Sequence, residues 1–184
     1  LDVVEKLYIE RVLTEVGGNQ TRAAEILGAR SVRIDAGGGR EARDFDAEEF
    51  DHIVARFREY AQRAHDNGYK VGPENHWGAE AVPEVLKRLC EAVDHPAFGV
   101  LLHTKRWHGA LADQGDEIVA PWTMHTHMTA TLSDEALAQT MAMLRDAGYQ
   151  GAWGIELGGA SYAEAGVIIA RVRRVLEGWR LAEA

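Results

Sequence analysis

Four residues able to ligate a divalent cation each follow or close a short apolar run: Glu74 after YKVGP, His103 in FGVLLHT, His127 in APWTMHTHM and Glu156 in GAWGIEL. Carboxylate oxygen and imidazole nitrogen together suit a divalent metal, Mn²⁺, Mg²⁺, Co²⁺ or Zn²⁺. A lone histidine at the end of a strand is more often a core side chain with a satisfied ring. Four candidate ends, with His76 and His125 close by in sequence, keep a shared site open. Such a site requires the four run ends to meet in space, so the elements carrying them decide the matter.

Those elements alternate. SVRIDAGG reads as a strand with a glycine-rich exit, and Asp46 to Glu49 reads as a capping-box start for a long helix carrying Phe50, Ile53, Val54, Phe57 and Tyr60 on one face. Asn67-Gly68 ends it before the YKVGPENHWG strand. A helix over Ala81 to Val93, the FGVLLHT strand, a polar loop at GALADQGDE and the APWTMHTHM strand follow. Ser133 caps the next helix, GAWGIEL is the fifth strand, and a last helix presents Val167, Ile168, Val172, Val175, Leu176 and Trp179. Five strands separated by helices predict parallel βα units with right-handed crossovers, as an open doubly wound sheet or as part of a barrel. In a barrel the carboxyl ends of the strands share one face, where sites form.

Before the first strand, LDVVEKLYIERVLTEVGG spaces Ile9, Val12, Leu13 and Val16 as a helix and stops at Gly17-Gly18. NQTRAAEILG is a shorter helix, capped by Asn19 or Thr21 and stopped by Gly28. These two are expected to cover the sheet with Leu13, Val16 and Leu27. The chain has 184 residues, 46% hydrophobic and 27% charged, which is enough to fill one core. Its formal net charge of −9 repels phosphate backbones, so nucleic acid is not an expected partner without a local basic patch. The single cysteine, Cys90, lies in a helical run and reads as a small buried hydrophobe. No apolar run approaches the ~18 residues of a membrane span, and no basic-then-apolar leader opens the sequence. A soluble, cytoplasmic protein without membrane contact is the expectation.

From LGARSVRIDAGG onward, the sequence resembles the later part of the xylose-isomerase-like barrels, a family of sugar and sugar-phosphate isomerases and epimerases. GYKVGPENHWG is similar to that family's strand ending in Glu-Asn-His, MHTHM to its His-x-His strand, and DAGYQGAWGIEL to its closing Gly-Tyr-x-Gly run with a final Glu. The resemblance implies a metal held by Glu74, His103, His127 and Glu156. It also implies Glu74 and Glu156 as the catalytic acid and base, and His76, Arg33 and Trp107 lining a pocket for a sugar-like small molecule. Two departures stand out. His103 occupies a position where the family usually has Asp, which lowers the site's negative charge and moves selectivity toward Zn²⁺ or Co²⁺. Thr129-Ala130 replaces a Lys-Asp pair that contacts substrate.

Residues 1–28 resemble something else, the Fis-type helix-turn-helix segment of bacterial enhancer-dependent activators, in the run GGNQTRAAEILG. Where that family places its recognition helix, this chain continues into the SVRID strand, so no DNA-binding residues are assigned. Arg22 and Arg30 alone make a weak footprint on an acidic chain. The expected fold class is therefore α/β: a partial (β/α) barrel of about five parallel strands over residues 29–184. The two N-terminal helices over 1–28 precede it and fold with it as one domain.

Three functions are compatible with that reading. The leading one is an engineered or hybrid protein on an isomerase-like barrel fragment with little or no catalysis. The second is a working metal-dependent sugar or sugar-phosphate isomerase or epimerase, and the weakest is a DNA-binding regulator fragment. Five strands from an eight-strand plan leave the first and last edges open. Homodimerisation through these edges, or flattening into a doubly wound sheet, is the expected consequence.

Overall fold

A computed structural model of the chain describes residues 3–37, 39–157 and 161–182. Among these residues, five strands and five α-helices alternate after an opening pair of helices: α1 (Val3–Glu15), α2 (Gln20–Leu27), β1 (Ser31–Arg33), α3 (Ala47–Asp66), β2 (Lys70–Gly72), α4 (Pro83–Val93), β3 (Val100–His103), α5 (Gly115–Val119), β4 (Thr123–Thr129), α6 (Asp134–Asp146), β5 (Ile155–Glu156) and α7 (Tyr162–Ala182). Local chemistry sets several of these ends. Asp46 accepts the Glu49 N–H while the Glu49 carboxylate accepts the Asp46 N–H, the reciprocal box expected at the start of α3. Ser133 accepts from Ala136 at the start of α6, and Asn19 accepts from Arg22 at the start of α2.

All ladders are parallel, β1 with β2, β3 with β4 and β4 with β5. The junction of β2 and β3 is carried by the Gly99 N–H to the Val71 carbonyl (3.0 Å), the Leu101 N–H to the Pro73 carbonyl (2.9 Å) and the bridge pairs Val71–Phe98 and Glu74–Leu101. Proline has no N–H to offer the Gly99 carbonyl between those two bonds, which interrupts the ladder there. The strands therefore lie in chain order, 1-2-3-4-5. A doubly wound sheet reverses direction at a switch point; this one does not reverse, so that alternative is corrected to a singly wound barrel segment. The barrel is open, with β1 and β5 at its edges.

Alternation along the strands separates two faces. Val32, Val71, Val100 and Leu102 pack outward against Val54, Phe57 and Ala61 of α3, Leu86, Leu89, Cys90 and Val93 of α4, and Leu144 of α6. Cys90 is buried, as its helical context predicted, and burial pushes its thiol up, far from a reactive thiolate. Met128 joins Leu137, Met141 and Val172 in a second cluster beneath α6 and α7. Val167, expected on the packed side of α7, is instead 63% exposed. The opposite faces of the strands carry Glu74, His103, His125, His127 and Glu156.

The helical pair packs differently from its expected register. Val12 and Ala23 are the buried residues, whereas Leu13, Val16 and Leu27 are only half-buried and lie outside the core clusters. An ion pair from Arg63 of α3 to Glu25 of α2 (2.7 Å) ties the pair to the barrel segment. From Leu27 the chain turns through Gly28, at φ +65°, directly into β1. The polar GALADQGDE stretch, expected as loop, holds a 3₁₀ turn and α5. The cause is Asp116, which is buried and accepts both the Trp107 indole N–H (2.7 Å) and the Lys105 N–H (3.0 Å).

Candidate metal centre

Glu74 is fully buried and stands at the centre of the inner face. It lies two residues beyond β2, on the isolated bridge to Leu101. His103 closes β3, His127 sits two residues before the end of β4, and Glu156 closes β5. The His103 Nδ1 lies 3.1 Å from Glu74 Oε1 and 3.0 Å from Glu156 Oε2. The His127 Nδ1 lies 2.9 Å from Glu74 Oε1 and 3.6 Å from Glu156 Oε2. His76 reaches Glu74 Oε2 at 3.1 Å, and donor atoms of Glu74, His76, His103 and Glu156 all fall within 4.8 Å of one another.

These separations can be compared with what one ion demands. Metal–donor bonds of roughly 2.0–2.2 Å put neighbouring ligand atoms about 2.8–3.6 Å apart. The four carboxylate–imidazole distances among Glu74, His103, His127 and Glu156 fall in that range, but the donor atoms that all converge within 4.8 Å are those of Glu74, His76, His103 and Glu156, so His76 joins the residues that could hold a divalent cation and His127 flanks them. His125 stays apart from them, packed beside Gly154 on the same strand face; burial and the neighbouring His127 hold its pKa down.

Burial by itself would raise the Glu74 pKa. Hydrogen bonds from His103 and His127 and the nearby Arg33 charge outweigh it and hold the carboxyl well below the usual range. Glu74 is thus an anion at neutral pH, already oriented. Arg33, expected in a substrate pocket, uses one terminal nitrogen on Glu74 and its other two nitrogens on Asp35 (2.8 and 2.7 Å). Trp107, expected there as well, belongs to the outer core. Its ring fills the space against Gly115 and its N–H is bound by Asp116, so it supports the scaffold instead of lining a pocket.

Other positioning groups escaped the sequence reading. Asn75, fully buried, donates to the carbonyls of His103 (2.8 Å) and Arg106 (3.2 Å) and accepts the His103 N–H (2.7 Å), locking the end of β3. It sits inside the Glu-Asn-His run and could have been singled out there. Glu80 had no such signal. It is buried within the 3₁₀ turn Gly78–Ala81 and accepts the Ala36 N–H (2.5 Å), fastening the exit of β1. Burial pushes its carboxyl up to about 8, more than the Ala36 bond offsets; Asp35 and Glu74 add to the rise, and Arg33 opposes it.

A raised carboxyl pKa means the folded state holds a proton that the unfolded chain has released. Stability should therefore fall as pH climbs from the ordinary 4.5 to about 8. Glu80→Gln keeps an acceptor for Ala36 and removes the titration. Urea unfolding at pH 5, 7 and 9 should show the variant gaining on the parent as pH rises; parallel pH profiles would contradict this.

A singly wound parallel barrel segment with carboxylates and imidazoles gathered at its carboxyl-end face defines the class. Residues 18–177 match the family described as xylose isomerase-like TIM barrel, and the chain belongs to it. Residues 1–29 match a second description, bacterial regulatory protein of the Fis family, overlapping the first match at residues 18–29. No curated protein matches the sequence.

Among solved structures, a xylose isomerase-like TIM barrel protein from Mycobacterium smegmatis in complex with magnesium superposes with a TM-score of 0.64 at 18% identity, over 87% of this chain and 67% of that one. A D-tagatose 3-epimerase-like protein gives 0.65 at 18%, over 98% and 73%. An L-ribulose 3-epimerase gives 0.65 at 12%, over 96% and 70%. These likenesses are likenesses of fold. Among the described residues, no helix is long and apolar enough to cross a membrane.

Proposed function

We propose that this protein binds a divalent cation and removes a proton from a carbon beside the carbonyl of a sugar-like substrate, returning it to the neighbouring carbon as an isomerase or to the same carbon as an epimerase. The observation that carries the reading is the convergence of Glu74, His103, His127 and Glu156 at ligand-like separations. The magnesium complex and the epimerases among the structural relatives support it. Bound there, a divalent ion would supply Lewis-acid polarisation of substrate oxygens.

The chain's own residues divide the remaining work. Glu74 is held by imidazoles and Arg33, and its low pKa makes it a poor proton acceptor; its part is to bind and orient. Glu156 is 42% exposed at its side chain and lies on the edge strand, where an incoming substrate can reach it. Proton transfer therefore falls to Glu156. His76 closes the other side of Glu74 and can hydrogen-bond a substrate hydroxyl.

The test is exchange of solvent deuterium into ketoses by Mn²⁺- or Co²⁺-loaded protein, followed by proton NMR. Loss of the C1–H or C3–H signal is expected, slowed at least ~100-fold in Glu156→Gln, since a positioned acid–base group contributes about 10²–10⁴. A second reading, a hybrid that keeps the metal site with little turnover, is favoured by the Fis-type match running into the barrel match at residues 18–29. Metal binding without exchange would select it.

We also infer a homodimer in which the β1 edge of one copy pairs with the β5 edge of another, because each of these strands has a neighbouring strand on one side only among the described residues. Light scattering at high micromolar concentration should give twice the 20.3 kDa chain mass. A species of 20.3 kDa would rule the dimer out.

A further inference from the structure

We infer that Thr126 is a positioning residue for Glu156: its buried hydroxyl sets where the two-residue strand β5 lies on β4. This deepens the isomerase or epimerase reading and rests on it. Glu156 transfers the proton in that reading, yet it closes a strand of two residues whose one neighbour among the described residues is β4. The ladder consists of the pairs Met128–Ile155 and Thr129–Glu156, led by the Met128 N–H on the Gly154 carbonyl (2.8 Å). So short a ladder at an edge frays unless something else holds it. The demand is strict, because misplacing a reacting group by about 1 Å can cost on the order of 100-fold in rate.

Side-chain hydroxyls supply the hold. Thr126 is fully buried, and its hydroxyl donates to the Ala152 carbonyl (3.2 Å) while accepting the Gly154 N–H (3.1 Å). The same carbonyl accepts the Tyr149 hydroxyl (2.5 Å) and shares the Gly154 N–H (3.1 Å). The Ala152 oxygen is thus the point where β4 and the approach to β5 are joined. Two glycines permit the contact. A carbon on Gly154 would overlap the Thr126 carbonyl oxygen and lie 2.9 Å from the His125 Nε2. One on Gly151 would lie 2.6 Å from the Tyr149 hydroxyl oxygen. The Gly-Tyr-x-Gly run therefore has a physical task here: Tyr149 folds back over Gly151 to meet the Ala152 carbonyl, and Thr126 ties that carbonyl to β4.

The same strand offers a contrast. Thr123 is also buried, but its hydroxyl has no partner among the described residues. Valine at 123 removes no hydrogen bond, whereas valine at 126, of nearly the same shape, removes both bonds to the approach of β5.

The experiment has two arms, both on the whole chain. In chelator, hydrogen exchange followed by NMR reads the Met128 and Gly154 amides. Both should exchange at least ~10-fold faster in Thr126→Val, and stay near the parent in Thr126→Ser, which keeps the hydroxyl, and in Thr123→Val. With Mn²⁺, calorimetry should show ~10–100-fold weaker binding in Thr126→Val, the loss expected when a group that orients a ligand is removed. Added to Glu156→Ala, the same change should cost almost nothing more, because it acts through a carboxylate already missing. At saturating Mn²⁺, deuterium exchange into ketoses should slow on the order of 100-fold in Thr126→Val and recover in Thr126→Ser. Tyr149→Phe, which takes the other hydroxyl from the Ala152 carbonyl, should reproduce part of each effect.

Fully additive losses in the double variant would overturn the inference, since they would make Thr126 a general support of the fold. Parental Mn²⁺ affinity or unchanged amide exchange in Thr126→Val would overturn it too. A parent chain that binds no Mn²⁺ would count against the proposed activity, whereas the chelator arm would still decide whether Thr126 holds β5.

Discussion

Replacing either carboxylate at the inner face should abolish tight divalent-ion binding, but only one replacement should also weaken the fold. In Glu156→Ala, Mn²⁺ affinity measured by calorimetry should drop more than about 100-fold, because partners that merely orient a ligand already cost 10–100-fold when removed. Folding should be nearly unaffected, since Glu156 is substantially exposed and ends a two-residue edge strand. Glu74→Gln should lose the metal equally and also lower stability at neutral pH by on the order of 3 kcal/mol, the cost of unpairing buried charge. Its amide would direct N–H groups at Arg33, His76, His103 or His127, all of which now face carboxylate oxygens.

The pH dependence has a definite sign. A carboxyl held below its ordinary pKa stabilises the fold above that value and loses the contribution as pH falls through 4.5 and below. Acid should therefore narrow the stability gap between the parent and Glu74→Gln. Unchanged Mn²⁺ binding in Glu156→Ala, or equal unfolding midpoints for both variants at pH 7, would contradict the assigned arrangement.

A second large effect is expected from one methyl group. In Gly72→Ala the new Cβ would overlap the Gly99 backbone carbonyl, an atom that cannot swing away as a side-chain tip could. Gly99 is closely packed in turn, since a carbon added to it would meet the Met124 Cβ at 2.8 Å and the Trp122 carbonyl oxygen at 2.9 Å. Relief would require separating β2 from β3, the junction already interrupted at Pro73, and would displace Glu74 two residues on. Destabilisation on the order of 3 kcal/mol or more is expected, with metal binding lost alongside. Gly166→Ala in α7 is the matched control. Its added carbon meets nothing within 4 Å, and the helix should gain up to about 1 kcal/mol. Equal urea midpoints for the two variants would show that β2 and β3 do not approach as described.

Much of this site is legible in the chain because its ligands sit on local patterns. Short apolar runs ending in His103 or Glu156 announce strand ends, and parallel βα order places those ends on one face. The capping box at Asp46 and Glu49 and the cap at Ser133 are likewise properties of a few neighbouring residues. The misreadings share a cause. The family resemblance implies Trp107 in the pocket, but Asp116, nine residues on, turns its ring into the core. Val12 and Ala23, not Leu13, Val16 and Leu27, are buried because α1 and α2 pack on each other and α2 packs against β1, which sets their rotation.

The sequence by itself determined the element order, the parallel sense of the sheet and the chemical identity of the four candidate ligands, since strand period, helix caps and side-chain type act over a few residues. Tertiary structure alone decided which groups those ligands meet. Arg33 finds Glu74 across 41 positions, Glu80 finds the Ala36 N–H across 44, and His127 finds Glu74 across 53. Whether a carboxylate is a low-pKa anion like Glu74 or a proton-holding acid like Glu80 depends on the dipoles and charges packed around it after burial, and no local pattern specifies those.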